Sequence, residues 1–285
     1  MAKKHLILAP AKVAHRYKTT RMSLETWIIA LNPDNPVARD LLQSLTEQHI
    51  DARIFPAVDG RRDMPALQGQ ERISQTLALV TRKAKLTSSE VGCYLSHYRL
   101  IRQAYDRGVD HVCIFEDDVV AEAGLGDLIR GICELDESAH LVRLMSLKVR
   151  KRKVVQPLPA GYSLIRPLRG ALGTQGYVLN RIGMRKILDF GANIHMPIDK
   201  LYDSFFLFGL NCFSVEPHAI YEINRATTVS KDGELEPTPM WAVAVWRLYK
   251  LYRSIRRYSY YLARRRDLTS ASKPAVPQGR SERIR

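Results

Sequence analysis

The sequence predicts an α/β fold built on a parallel sheet. Short apolar runs of strand length alternate with segments of helical spacing, and one of those runs ends in three consecutive acids. The run Thr26-Trp27-Ile28-Ile29-Ala30-Leu31 reads as a buried strand stopped by Asn32-Pro33. Val37, Leu41, Leu42 and Leu45 then recur at helical spacing over 36–49, and Ala52-Arg53-Ile54-Phe55 reads as a second strand before the turn Asp59-Gly60. Together these form a βαβ unit, the building block of a parallel sheet.

Residues 61–86 are polar, with a short helix expected near 70–80. Thr87-Ser88-Ser89-Glu90 is a helix start, because a Thr or Ser followed by Glu three residues on can satisfy the free N–H groups of the first turn. That helix is expected to run to about Arg107 and to stop at Gly108. His111 to Phe115 is a buried strand that runs directly into Glu116-Asp117-Asp118. Strands are expected at 141–145 and 154–155, and a loop leads into a strand at 173–179. Helices follow at 181–190 and 197–208, and a late strand at 212–215.

The charge is unevenly placed. Of a formal net charge of +15, most lies after residue 239, where ten Arg and two Lys face only Asp267 and Glu282. The chain therefore divides into a basic N-terminal extension (1–24), a globular body (25–230), a linker and basic helix (231–266), and a polar tail (267–285) with the composition of a disordered segment. In the basic helix, Trp241, Val245, Leu248, Tyr252 and Ile255 recur at three- and four-residue spacing beside Arg253, Arg256 and Arg257. Such a stripe suits a helix lying in an anionic membrane interface, with a helix packed on the body as the plainer alternative. A nucleic-acid partner is not expected, since the charge sits outside the patterned body and no recognised motif accompanies it.

Four cysteines, none in CxxC spacing, read as reduced thiols, which points to a cytoplasmic chain. Leu6-Ile7-Leu8-Ala9 is too short for a signal-peptide core, and no run reaches membrane-spanning length.

The acids after the strand carry the chemistry. Carboxylates at the carboxyl end of a parallel strand point into the crevice where such folds bind ligands. Adjacent anions repel, so the cluster costs stability unless a cation offsets it, and hard oxygen ligands suit Mg2+ or Mn2+ held jointly with phosphates. A solvated acidic turn is the plain alternative.

Several blocks in order resemble glycosyltransferase family 25, the bacterial lipooligosaccharide biosynthesis transferases. Trp27 to Asn32 with Arg39 is similar to the family's opening strand, and Phe55-Pro56-Ala57-Val58-Asp59-Gly60 to its second block. Glu90-Val91-Gly92-Cys93-Tyr94-Leu95-Ser96-His97 resembles its E-x-G-C-x-x-S-H segment, and Phe115-Glu116-Asp117-Asp118 its F-E-D-D. Gly173-Thr174-Gln175-Gly176-Tyr177 and Pro197-Ile198-Asp199 resemble two later blocks. Tyr221-Glu222 departs from the pattern, where a Gln is expected.

The resemblance implies a GT-A-like, Rossmann-like nucleotide-sugar-binding domain. It implies inverting transfer of a hexose, usually galactose, from a UDP-sugar donor to a lipid-linked oligosaccharide at the inner face of the inner membrane. Glu116 and Asp118 are the expected ligands of a divalent cation, with His218 as a third. Donor contacts are expected from Asn32, Arg39, Asp59, Glu90, His97, Asp117, Gly173, Thr174 and Gly176. Glu116 or Asp117 could instead face the donor ribose, and the spacing does not decide between them. Asp199 is the expected general base, with Asp203 one turn later as the alternate. Plainer roles stand beside these: a helix cap for Glu90 and for Asp199, and a satisfied core imidazole for His97.

Overall fold

The computed structural model describes residues 22–148, 150–223, 238–264 and 272. Most of the basic N-terminal extension, the linker and most of the polar tail lie outside these residues. In chain order the elements are β1 (Leu24–Ala30), α1 (Pro36–Glu47), β2 (Ala52–Pro56), β3 (Arg72–Ile73), α2 (Gln75–Arg82), α3 (Ser88–Asp106) and β4 (His111–Glu116). They continue with β5 (Val119–Ala121), α4 (Leu125–Cys133), β6 (Leu141–Arg143), β7 (Arg152–Pro157), β8 (Ser163–Pro167) and β9 (Gly176–Asn180). The chain then forms α5 (Arg181–Gly191), β10 (Asn193–Ile194), α6 (Ile198–Tyr202), α7 (Phe205–Phe208), β11 (Cys212–Glu216), β12 (Ile220–Glu222) and α8 (Met240–Ala263).

Eight strands form one sheet in the order β2-β1-β4-β9-β6-β11-β8-β7. The expected parallel unit is there: β1 pairs in parallel with both β2 and β4. The sheet as a whole is mixed, with the parallel unit at one end. β9 lies antiparallel between β4 and β6, and β8 and β7 extend the far edge antiparallel. The antiparallel placement of β9 matters for function. It brings the amino end of that strand, after Gly173-Thr174-Gln175, to the same sheet edge as the carboxyl end of β4. Phe115 pairs with Gly176, and the Glu116 N–H donates to the Gln175 carbonyl at 2.9 Å.

The central strands are covered on both faces, so they read as continuous apolar runs. Side chains alternate between two cores. Trp27, Ile29, Val112, Ile114, Tyr177 and Leu179 pack with α3, α5, α6 and α7. Ile28, Cys113, Phe115, Val142 and Val178 pack with α1 and α4. Helix α3 begins with the expected capping box, in which Thr87 and Glu90 satisfy each other's backbone N–H groups. Its second turn lies against the loop after β2: a Cβ on Gly92 would meet the Val58 carbonyl at 2.7 Å, so only glycine permits this approach.

Two differences from expectation have local causes. The helix expected over 197–208 is split into α6 and α7. Asp203 ends α6, its carboxylate turned toward Arg143 and the Leu172 N–H, and Ser204 begins the next turn. Helix α4 has no sequence start signal because its N-cap is Gly124 at φ +81°, which offers no capping side chain. No described helix is long and apolar enough to cross a membrane.

Candidate active site

At the carboxyl edge of β1 and β4 lies an open cleft of about 690 Å³. Glu116, Asp117, Asp118 and Glu222 line one side, and Asp199 at the first turn of α6 lines it as well. Glu116 ends β4, and β12 carries Glu222 beside the acids because it pairs with β5, with Glu222 opposite Val119. Thr174, from the turn before β9, donates its hydroxyl to Glu116. His97 approaches the same carboxylate from the core side, with Nε2 3.4 Å from Oε1. Its other ring nitrogen lies 2.8 Å from the Tyr177 hydroxyl, which in turn is 2.9 Å from that of Tyr202. A buried polar chain thus runs from the core to the tip of β4 and fixes the Glu116 carboxylate. Burial alone would raise the Glu116 pKa, but His97 and Thr174 outweigh it and hold the group below its ordinary value.

Asp118 behaves in the opposite way. Burial, then the charges of Glu116, Glu222 and Asp117, push its pKa up to about 7. Its Oδ1 is buried and accepts no hydrogen bond from a described residue. A buried carboxylate oxygen without a donor, ringed by other carboxylates, is the setting a cation relieves. The residues present therefore fit a divalent ion, with Asp118 and its neighbours as oxygen ligands. Asp117 accepts from the Asn35 side chain at 3.1 Å. Asp199 is largely buried, which raises its pKa. Its Oδ1 accepts the Lys200 N–H at 2.7 Å, while the cap position belongs to Pro197. The carboxylate thus both satisfies a first-turn N–H of α6 and lines the cleft.

The structure brings together Asn32, Glu90, Glu116, Asp117, Asp118, Gly173, Thr174 and Asp199 around the cleft. Glu90 sits there with both oxygens engaged by Arg82, at 2.7 and 2.8 Å, so its first role is structural. His97 is buried beneath the site and acts on Glu116. Gly176 lies within β9, packed under the side chains of Ile220 and Phe115.

Four expected site residues lie elsewhere or are otherwise occupied. Asp203 is no base: it is nearly buried and ion-paired with Arg143 at 2.9 Å, and its other oxygen accepts the Leu172 N–H. His218 lines a separate small cavity with Lys148, Arg150 and Arg152, a cationic setting ill suited to a metal ligand. Arg39 is exposed and paired with Asp34. Asp59 forms a two-bond pair with Arg61, which holds its pKa at about 2; the cleft residue is Arg61, and Asp59 orients it.

Sequence reading missed Arg61, Asn35, Glu222 and Cys93 as cleft residues. For Glu222 a signal existed, since an acid closing the short apolar run Ile220-Tyr221 repeats the pattern of Phe115-Glu116. Cys93 lies four residues before His97, on the same helix face, but reads as a small buried hydrophobe.

A mixed sheet whose edge opens on a cleft walled by six carboxylates, Glu90 among them, defines an α/β protein with a ligand-sized cleft at its strand ends. The chain belongs to glycosyltransferase family 25 (LPS biosynthesis protein), whose family model matches residues 24–202. It is 31% identical over 182 residues to probable inactive glycosyltransferase 25 family member 3 of Bos taurus, covering 58% of this chain and 28% of that protein. It is 26% identical over 226 residues to procollagen galactosyltransferase 1 of Danio rerio, covering 70% and 36%. It is 31% identical over 148 residues to the lacto-N-neotetraose biosynthesis glycosyltransferase LgtE of Neisseria gonorrhoeae, covering 46% and 52%. The chain thus spans about a quarter to half the length of these curated relatives. Among solved structures, A197 from STIV matches with a TM-score of 0.40 at 10% identity, over 75% of this chain and 100% of that one.

Proposed function

We propose that this protein is an inverting hexosyltransferase that moves a sugar, with galactose as the favoured hexose, from a UDP-sugar to a lipid-linked oligosaccharide of the lipopolysaccharide core. The observation that carries the reading is the pairing, in one cleft, of an orphaned acid inside a carboxylate cluster with a separate acid, Asp199, on α6. The cluster suits the cation that accompanies a diphosphate, and the separate acid suits a base.

A divalent ion held by Glu116 and Asp118 would offset the negative charge that builds on the departing diphosphate. Thr174 and His97 hold Glu116 in place and ionised. Arg61, set by Asp59, offers a guanidinium to phosphate oxygens at the cleft mouth. The carbon–oxygen bond to the diphosphate breaks as the acceptor hydroxyl oxygen bonds to the same carbon from the opposite face. Asp199 takes the hydroxyl proton, and burial raises its pKa in the direction a general base needs. The test is a thermal-shift screen of UDP-hexoses with Mn2+, followed by transfer assays. Asp199→Asn is expected to keep cation-dependent UDP binding and to lose at least about a hundred-fold in turnover. Wild-type turnover in that variant removes Asp199 from the mechanism.

Helix α8 supports a peripheral site of action at the cytoplasmic face of the inner membrane. One face packs on the body, with Tyr260 against Phe205 and Arg253 over Phe206. The other presents Trp241, Val245, Leu248, Tyr252, Ile255 and Leu262 to solvent, an apolar stripe with Arg and Lys beside it. An amphipathic helix that packs through its polar-aromatic side and exposes its apolar side, amid net positive charge, matches an anionic lipid surface. Because α8 packs on the body, point changes are a cleaner test than truncation. Leu248→Ser with Ile255→Ser is expected to lower binding to anionic vesicles at least about ten-fold, with melting temperature unchanged. Equal partitioning of wild type and variant onto such vesicles rejects the membrane role.

A further inference from the structure

Cys93, His97 and Glu116 stand together at the inner wall of the cleft. A thiol, an imidazole nitrogen and a carboxylate oxygen, one from each, lie within 4.8 Å of one another, the only such group of three among the described residues. Cys93 and His97 sit four residues apart on one face of α3, and Glu116 reaches them from the end of β4.

We propose that these three residues form a second cation site, selective for zinc-class ions over Mg2+ and Mn2+, that takes Glu116 away from the hard-ion site. Three features support it. The first is geometry: bonds of about 2.1 Å to nitrogen and oxygen in a tetrahedral site put those ligands about 3.4 Å apart. His97 Nε2 and Glu116 Oε1 are already 3.4 Å apart. The Cys93 sulfur lies within 4.8 Å of both, so a shift of at most about 1 Å, within reach of a rotation at its Cα–Cβ bond, brings it into bonding range.

The second is the outer shell. A metal-binding imidazole is held through its other nitrogen, and His97 Nδ1 is held by Tyr177, itself anchored on Tyr202. Before an ion binds, Nε2 faces the Glu116 carboxylate as a donor; on binding, Nδ1–H donates to the Tyr177 oxygen, Nε2 gives up its proton to solvent, and its lone pair turns to the ion. The third is ligand chemistry. Thiolate with imidazole selects zinc-class ions, whereas the oxygen-only cluster of Asp117, Asp118 and Glu222 suits hard ones. Three protein ligands leave a fourth position open to the cleft. On binding, the Cys93 S–H bond breaks, the sulfur bonds to the ion and the proton passes to solvent.

The site stands independently of the transferase reading, because it needs only these three side chains. The test is titration of the full chain with Cd2+, a zinc-class probe whose bond to a thiolate gives an ultraviolet charge-transfer band. The expected result is a band saturating at one equivalent, kept in Cys212→Ser and in Asp118→Asn. The band is expected to vanish in Cys93→Ser. In His97→Gln and Glu116→Gln, Cd2+ affinity is expected to fall at least about ten-fold. These last two variants keep the test open if Cys93→Ser does not fold. Absence of the band in the wild-type chain, its loss in Cys212→Ser, or its persistence in Cys93→Ser overturns the proposal. Asp118→Asn separates the two readings, since it is expected to lose Mn2+-dependent UDP binding while keeping the Cd2+ band.

Discussion

Asp118→Asn is expected to lose function and gain stability. In the folded protein burial and the neighbouring carboxylates raise the Asp118 pKa to about 7, above its ordinary value of 3.8. The folded state therefore holds this proton more tightly than the unfolded chain does between about pH 4 and pH 7. Stability of the cation-free protein from this group is fully present below that window and falls as pH rises through it. Asn carries no charge at any pH, so the variant escapes the loss. At pH 7.5 without divalent ions its melting temperature is expected to exceed that of wild type by roughly 2–6 °C, with the difference vanishing near pH 4. With Mn2+ the order reverses, because only wild type has the ligand that a cation stabilises. Transfer is expected to fall at least about a hundred-fold. Calorimetry across pH, with and without Mn2+, checks the stability changes and a transfer assay the loss of activity, and a variant less stable than wild type at pH 7.5 in chelator contradicts the repulsion.

Asp203→Asn is expected to damage the fold, in contrast to Asp199→Asn. Arg143 is the largest fully buried side chain among the described residues and donates to Asp203 at 2.9 Å. Burial lowers the Arg143 pKa, but Asp203 more than reverses this and holds the guanidinium charged. Removing the carboxylate leaves a buried cation unpaired, at a cost of about 3–5 kcal/mol. That is a large share of a typical domain's stability and is measurable by denaturant titration. Asp203 also accepts the Leu172 N–H and fills the space above Gly170, so the turn carrying Gly173 and Thr174 should loosen with it. The double variant Arg143→Met, Asp203→Leu is expected to recover most of the loss, since apolar replacement removes both desolvated charges. A single variant within about 1 kcal/mol of wild type contradicts the account.

The contrast between these aspartates shows where one-dimensional reading fails. Asp199 and Asp203 are four residues apart, on adjacent helical turns, and look equivalent in sequence. The helix breaks at Asp203, and a strand 60 residues earlier supplies the arginine that claims it. Nothing near either aspartate in sequence reports Arg143. Likewise the apolar stripe on α8 was legible from spacing, whereas its outward orientation depends on Phe205 and Phe206 holding the opposite face.

The sequence by itself determined the first βαβ unit, the start of α3, the buried run of β4 and the acids at its end. Each rests on interactions within a few residues: a continuous apolar run of strand length, a capping Thr with its Glu, a Pro or Gly stop. Only the tertiary structure decided which acids work together. It set β9 antiparallel beside β4, placed Thr174 and His97 on Glu116, moved Glu222 into the cluster, and withdrew Asp203 and His218 from it. The physical reason is that charge and hydrogen bonding act through space, between groups whose separation in sequence bears no relation to their distance.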